Sequence, residues 1–265
     1  MARLPRFVLT PRWIALLVFV LVVVVTCVRL GIWQLDRLDQ RRAFNAQIER
    51  GLAAEPTSLD ALGGEAEDAY RRVRVTGTYD PEHEVLWYGR ALDGRPGHHV
   101  LTPLVYGSEQ TTPGVAILVD RGWVPAELDT TPVAPAAAPS GTVTVTGFLL
   151  PAEGGGDLVI DRDPSGRVLT VRHADPAALD GEVPYELWPL ALHLQGQSPA
   201  QAGDLPALVP PPPLDEGPHL SYAVQWFTFA TIALVGYVIL VRREVRDRSR
   251  EAEQAGAQAP SSAAG

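Results

Sequence analysis

The sequence predicts a membrane-anchored α+β chain, two transmembrane helices bracketing a mostly antiparallel β domain, barrel-like or sandwich, held outside the cytoplasm. Three observations predict it. Apolar runs stand near both ends of the 265 residues, the stretch between them changes to a period of two, and net charge changes sign between ends and middle. Residues 1–12 carry Arg3, Arg6 and Arg12 without an acidic side chain, and residues 242–265 carry five arginines against four acids. Residues 29–219 hold 14 basic and 27 acidic side chains, a net of −13. Because Arg12 and Arg242-Arg243 abut the apolar runs, the positive-inside rule puts both termini in the cytoplasm and the acidic middle outside it. That acidity excludes nucleic acid as a partner. All 22 basic residues are arginine, which fits GC-rich coding DNA and carries no function. The one cysteine, Cys27, lies in the first apolar run, so an intramolecular disulfide and a cysteine-built metal centre are both excluded.

The first run, residues 13–28, is free of charge, and its apolar pattern continues past Arg29 to Leu35. About 20 apolar residues cross a bilayer core as a helix, so residues 13–35 form the first transmembrane helix, with Arg29 snorkelling at its outer end. No A-x-A site follows, which favours a retained helix over a cleaved signal peptide. Val24-Val25-Thr26 before Cys27 likewise lacks the small residue that a lipoprotein anchor needs. Residues 1–12 are then a cytoplasmic N-terminus, and residues 36–54 a helical exit segment that Gly51 ends. Trp33 and Arg37 lie one turn apart and Arg29 another turn before them. Guanidinium forks bind carboxylates, and the same residues also suit a headgroup anchor.

Residues 55–195 form the β-rich extracytoplasmic domain. Residues 71–79, 84–88, 99–106 and 115–120 read as strands, separated by Asp80-Pro81, Asp93-Gly94-Arg95-Pro96-Gly97 and Thr112-Pro113-Gly114. Pro103 points to an edge or a bulge. Arg121-Gly122-Trp123-Val124-Pro125 is expected as a turn pinned by a packed tryptophan, and residues 129–141 as a loop of little order. Residues 142–150 resume the sheet and repeat the Val-x-Val-x-Gly pattern of Val73 to Gly77, each glycine a candidate bulge. Residues 157–160 and 168–172 give shorter strands. Residues 175–181 give a small helix, with Asp175 as N-cap and Pro176 in its first position. Residues 185–195 supply a last strand, weakened by Pro189. Residues 196–218, with Pro210 to Pro213, form a stiff, extended linker.

The second transmembrane helix is residues 219–241, in which Leu220 to Val241 carry no charge. Residues 242–265 form a cytoplasmic tail, disordered from Ser249. Helical spacing puts His219, Tyr222, Trp226, Phe229 and Ala233 on roughly one face, an imidazole above a column of aromatic rings. That face suits a flat, apolar, metal-centred ligand. It equally suits an interfacial aromatic belt below a polar helix start.

The common signatures of nucleotide binding, serine hydrolysis and zinc proteolysis are missing from the sequence. Glu82-His83-Glu84 and His98-His99 are the densest ligand groups in the middle segment. Meeting across neighbouring strands they would hold zinc or copper; as separate strand ends they are solvated turns.

Five short blocks, in order, resemble the surfeit-locus family of cytochrome oxidase assembly proteins. They are Leu30-Gly31-x-Trp33-Gln34-x-x-Arg37-Leu38; Tyr70-x-x-Val73-x-Val75-x-Gly77-x-Tyr79; Gly97-His98-His99-Val100-Leu101-Thr102-Pro103-Leu104; Leu118-Val119-Asp120-Arg121-Gly122-Trp123-Val124-Pro125; and His219-Leu220-Ser221-Tyr222-Ala223-x-Gln225-Trp226-Phe227. The resemblance implies a non-enzymatic assembly factor, or chaperone, of respiratory-chain biogenesis in a bacterial plasma membrane. It would bind haem a at the outer surface and assist its insertion into the catalytic subunit of an aa3-type cytochrome c oxidase, with haem a synthase as a second partner. In that family the histidine at the mouth of the second span has been tied to haem, and His219 matches it. Where the family often has asparagine just before this histidine, Pro218 stands here. Combined with the spacing above, the expected haem-binding set is His219 on the iron, Tyr222, Trp226 and Trp33 flanking the porphyrin, and Arg37 on a propionate. His193 or His98 would have to fold back to the membrane surface to be a second ligand. Two other readings compete: a cofactor-free structural clamp on an oxidase subunit, and a membrane-tethered metalloenzyme using Glu82, His83 and His98.

Overall fold

The computed structural model describes residues 10–107, 114–152 and 157–257. Residues 1–9, the turn residues Thr112-Pro113 and residues 258–265 of the expected tail lie outside the described residues. The chain divides into two units, Met1–Asn45 with Asp215–Gly265, and Ala46–Leu214.

The first unit is built on two helices, α1 (Pro11–Ala53, whose last turns belong to the second unit) and α2 (His219–Ala257). Both are long and apolar enough to cross a membrane. On α1, Val20, Cys27, Gly31, Leu38 and Asn45 are buried and Gln34 is half-buried; on α2, Ala223 and Ala230 are buried, with His219, Trp226, Ala233 and Tyr237 half-buried. Both series step by three and four residues and sum to seven over two turns, the spacing of two helices packed along a narrow seam. The helices run antiparallel, since Trp13 meets Tyr237 edge-to-face at 6.4 Å while Gln34 meets His219. Small residues in the seam let the backbones approach. Outward residues such as Phe19, Val22, Ile232 and Ile239 are exposed, an apolar surface consistent with a membrane protein.

Helix α2 does not fray at Ser249, as expected, but continues to Ala257. Its last turns carry Arg248 on Glu244 at 2.7 Å and Arg243 near Asp247 at 3.7 Å. Such i,i+4 pairs, on a run rich in Ala, Glu and Arg, support a helix that composition alone reads as disorder.

Among the described residues the second unit holds nine strands: β1 (Arg72–Tyr79), β2 (Val85–Leu92), β3 (Arg95–Tyr106), β4 (Val115–Pro125), β5 (Thr142–Leu149), β6 (Val159–Arg162), β7 (Val168–Val171), β8 (Glu186–Leu187) and β9 (Leu192–Ser198). The order β3-β1-β5-β9-β4 returns to β3, so five strands close into a barrel. β2, β7 and β6 extend from β3, and β8 pairs with β4. Val73, Val75, Leu104, Ile117, Val119, Val143, Val145, Leu149, Leu192 and Leu194, drawn from all five ring strands, pack as one buried cluster that fills the ring. A second cluster, with Trp87, Leu101, Leu118, Val168 and Leu179, covers the outer face of β3 and β4. Mostly antiparallel pairing holds, but β2–β7, β4–β8 and β4–β9 are parallel.

Several local expectations are corrected. Residues 121–125 are not a turn: β4 runs through them, paired to β3. His99 faces Trp123 and Leu101 faces Asp120, so Arg121 and Gly122 together oppose Val100 alone. This is a bulge, and Gly122 at φ 125° supplies a conformation that other residues resist. Pro103 is neither at an edge nor in that bulge. It sits where one side of β3 changes partner, from β2, ending at Leu101, to β1, beginning at Leu104; its carbonyl accepts from Asp80 N at 2.8 Å. Gly147 does mark a register shift between β5 and β9, whereas Gly77 pairs regularly with β5.

The loop at 129–141 is packed, because Val133 and Ala136 are buried against Leu86, Val100 and Val124. The expected strand at 185–195 is split by Trp188-Pro189 into β8 and β9, and β9 reaches Ser198. The linker is not free for its whole length either. Ala207 exchanges backbone hydrogen bonds of 2.8 Å with Trp123.

Candidate functional site

His219 is the first residue of α2 and is half-buried. Its Nδ1 lies 2.9 Å from Gln34 Oε1. An amide oxygen only accepts, so Nδ1–H is the donor, and in the neutral imidazole this leaves the lone pair on Nε2. Gly217, at φ 66°, lies beside that free edge: a Cβ there would stand 3.5 Å from His219 Cδ2 and 3.6 Å from Nε2. Glycine thus keeps open the space next to the nitrogen that a metal would use.

The approach to this histidine is clamped. Arg42 grips Glu216 with Nε at 2.8 Å and a terminal nitrogen at 2.9 Å, and Asn45 Nδ2 and Arg41 Nε donate to the Asp215 carbonyl at 2.9 and 3.1 Å. The bond from Arg42 holds the Glu216 carboxyl below its ordinary range and raises the guanidinium in turn. Gly217 N donates to Asp215 Oδ1 at 3.0 Å. Two consecutive residues just before α2 are therefore fixed to α1.

The other expected residues divide. Arg37 sits over the Trp33 ring at 5.7 Å and donates to Gln40 at 2.9 Å, all on α1. Trp33 and Tyr222 are half-exposed, at 50% and 47%. Trp226 lies in the seam and meets Phe229 edge-to-face at 5.9 Å. The single aromatic column is therefore two stripes: His219, Trp226 and Ala233 turn toward α1, while Tyr222 and Phe229 turn outward. Spacing of three or four residues cannot separate adjacent stripes; the seven-residue period of the seam does. Gln34, Gly217 and the Arg42–Glu216 clamp escaped the sequence reading. The signal for Gln34 was an amide within an apolar span, where a polar side chain needs a partner.

These residues fit a haem. A metal-ligating histidine ordinarily donates its other N–H to an oxygen acceptor, which fixes the ring and its tautomer, and Gln34 provides that acceptor. The free Nε2, the bare edge at Gly217 and the outward Trp33, Arg37 and Tyr222 supply a ligand, access and surface.

In the second unit the densest chemistry is a buried cluster across three adjacent strands. His99 (β3) and His193 (β9) both direct Nδ1 at Asp120 Oδ2 (β4), at 2.9 and 2.7 Å, and Asp120 Oδ1 accepts from Gly122 N at 3.2 Å. His193 Nε2 also donates to the Val209 carbonyl at 2.8 Å. With acceptors on both nitrogens, His193 is satisfied as an imidazolium. Burial opposes ionisation of Asp120, but the bonds and charges of the two histidines outweigh it and its pKa falls well below the carboxylate range. Burial also opposes the charge on His193, yet the carboxylate and the Val209 carbonyl raise its pKa. This cluster ties the Val209 carbonyl to β9.

A second buried network joins Glu84 to the bulge. Glu84 Oε1 accepts from Val133 N at 2.7 Å, and Oε2 accepts from Thr102 at 2.9 Å and Arg121 at 3.3 Å; Arg121 lies over the Tyr79 ring and donates to Gln201 at 2.8 Å. Burial raises the Glu84 carboxyl and lowers the Arg121 guanidinium, so desolvation outweighs attraction for both. The expected metal ligands are thereby dispersed. Glu84 is committed to Arg121, His83 Nδ1 lies 2.7 Å from Asp80, and His98 stacks on Tyr88 with its own ring centre 5.3 Å away. Among the described residues, no group of three His, Cys, Asp or Glu is disposed to hold a metal ion.

The model of the SURF1 family matches residues 21–231. The chain is 33% identical over 259 residues to a SURF1-like protein of Mycobacterium tuberculosis, covering 94% of this chain and 91% of the relative. A SURF1-like protein of Monosiga brevicollis is 29% identical over 235 residues, 81% of this chain and 83% of its own. Surfeit locus protein 1 of Homo sapiens is 32% identical over 126 residues, 43% of this chain and 40% of its own. The matched segment takes in Gln34, all nine strands and His219, and the chain belongs to the SURF1 family.

Proposed function

We propose that this chain is an assembly factor for an aa3-type cytochrome c oxidase in a bacterial plasma membrane, binding haem a at the outer surface and assisting its insertion into the catalytic subunit. It is a carrier and chaperone, not an enzyme. Its partners are that subunit, the lipid bilayer and haem a synthase as the source of the cargo. Arg12 before the first apolar run and Arg242-Arg243 after the second support cytoplasmic termini and an extracytoplasmic β domain.

The observation that carries this reading is the state of His219. Its Nδ1 is occupied by Gln34 and its Nε2 edge is kept clear by Gly217. Haem a as cargo would bring an iron that takes a nitrogen donor and two propionates that accept hydrogen bonds. His219 Nε2 would donate to that iron, and the outward Trp33 and Tyr222 would provide aromatic surface, with the expected Trp226 packed in the seam instead. Arg37, already oriented by the Trp33 ring, is the partner for a propionate. One histidine from this chain holds the cargo without enclosing it, which suits a group that has to be passed on.

The test is the optical spectrum of detergent-purified protein, wild type beside His219→Ala, from cells that make haem a. A haem a band present in the first and lost in the second is expected. Absence of haem from both, with oxidase subunits still co-purifying, overturns the carrier reading and favours a structural clamp. That second reading draws on the aromatic side chains Trp33, Tyr222 and Phe229, each half-exposed, which another membrane subunit would cover.

A further inference from the structure

Gln34 is the polar side chain of α1 that meets His219, 185 positions later in the sequence. It stands in the seam, between the buried positions Gly31 and Leu38, near the level at which α1 leaves its apolar run. An amide held at that depth is costly to leave unpaired. Its oxygen takes up the Nδ1 proton of His219 at 2.9 Å, and this has a chemical result beyond helix packing. A free imidazole exchanges its proton between the two nitrogens. One whose Nδ1–H is engaged presents Nε2 as a fixed, unprotonated donor.

We propose that Gln34 is a positioning residue for His219: by accepting the Nδ1 proton it holds the ring in one tautomer and one rotation, with Nε2 presented to the iron of a porphyrin beside Gly217. The proposal rests on the reading of His219 as an axial ligand. It adds that affinity is set jointly by the two helices, so a change on α1 alters a ligand carried by α2. Gln34 touches neither iron nor porphyrin in this role; it acts through the imidazole.

The experiment uses the full chain in detergent micelles with 15N-labelled histidine, read first without haem and then titrated with haem b as the probe. Six histidines are present, and the His219→Ala spectrum identifies the signal of interest. At alkaline pH, wild type is expected to show His219 protonated at Nδ1 and bare at Nε2. Gln34→Leu, close in size but without an acceptor, is expected to show averaging between tautomers and about 10-fold or greater loss of haem b affinity. Gln34→Glu, which keeps an oxygen acceptor, is expected to restore both readouts. A wild-type His219 protonated at Nε2, or Gln34→Leu with wild-type tautomer and affinity, overturns the proposal. The wild-type tautomer needs no variant to fold and so decides the point by itself. Haem b bound equally well by His219→Ala overturns the axial-ligand reading instead, because the haem-free spectrum judges the Gln34 contact separately.

Discussion

A Cβ on Gly31 would stand 2.7 Å from Cζ of Phe227, closer than packed atoms come, so the phenyl ring of α2 lies against bare backbone of α1. Alanine at 31 is expected to displace the ring, and valine to force the helices apart one turn below the Gln34–His219 bond. Gly31→Val should lower the thermal midpoint of the purified chain in detergent, by the equivalent of about 1–3 kcal/mol of overpacking, with Gly31→Ala between it and wild type. Equal midpoints for all three would mean that the seam is looser than this layer implies.

The buried Asp120–His193 pair makes stability pH-dependent in a stated direction. The pKa of His193 is raised above its ordinary 6.5, so its contribution is complete below that pH and is lost as pH climbs through the folded value. Asp120 is depressed from 3.8, so its contribution is present above that value and disappears only in stronger acid. The two overlap between these ordinary values, where the thermal midpoint should be highest. A midpoint that rises from neutral to alkaline pH would contradict the pair, and His193→Gln should flatten the alkaline decline.

Glu84 is the acceptor for three donors that have been withdrawn from water. Glu84→Ala leaves the Arg121 guanidinium, the Thr102 hydroxyl and Val133 N–H without it, and breaking a buried pair from one side costs about 3–5 kcal/mol. Urea unfolding followed by tryptophan fluorescence should register the loss. A change below about 1 kcal/mol would show that water already reaches this site.

Gly217→Ala places a methyl group against the Nε2 edge of His219 and strains a residue at φ 66°, the strain alone costing about 1–2 kcal/mol. Haem b affinity is expected to fall. Gly236→Ala, inside α2 where a Cβ meets open space, is the control and should bind as wild type does. Parallel losses in both would show that the effect is not local to the Nε2 edge of His219.

Much of the architecture was legible because length and period are local. The two long apolar helices announce themselves by uninterrupted runs, β1 and β5 by alternation, and β2 and β3 by apolar runs set between turn signals. The bulge at Arg121-Gly122 was hidden because glycine, tryptophan and proline in sequence look like a turn, when the glycine only lets β4 add one residue and continue. The packed loop at 129–141 was hidden by its Pro and Ala content, which says nothing of Val133 reaching Glu84. At the site, His219 was legible from its place at a helix mouth. The tie to Gln34 was not, since no local pattern reveals which of two distant helices supplies the acceptor. Asp120 was invisible for the same reason: its two histidines come from β3 and β9, and only closure of the ring brings them together.

That closure also sets an order of events in biosynthesis. β9 is the strand that joins β5 to β4, and it ends at Ser198, so a nascent chain cannot complete the barrel until nearly all of the intervening domain has been made. Strand pairings of such long sequence separation form slowly. In the exported orientation proposed above, the domain would cross the bilayer as an open thread and fold once its last strand arrives on the far side. The arrival of β9 would then make the crossing irreversible.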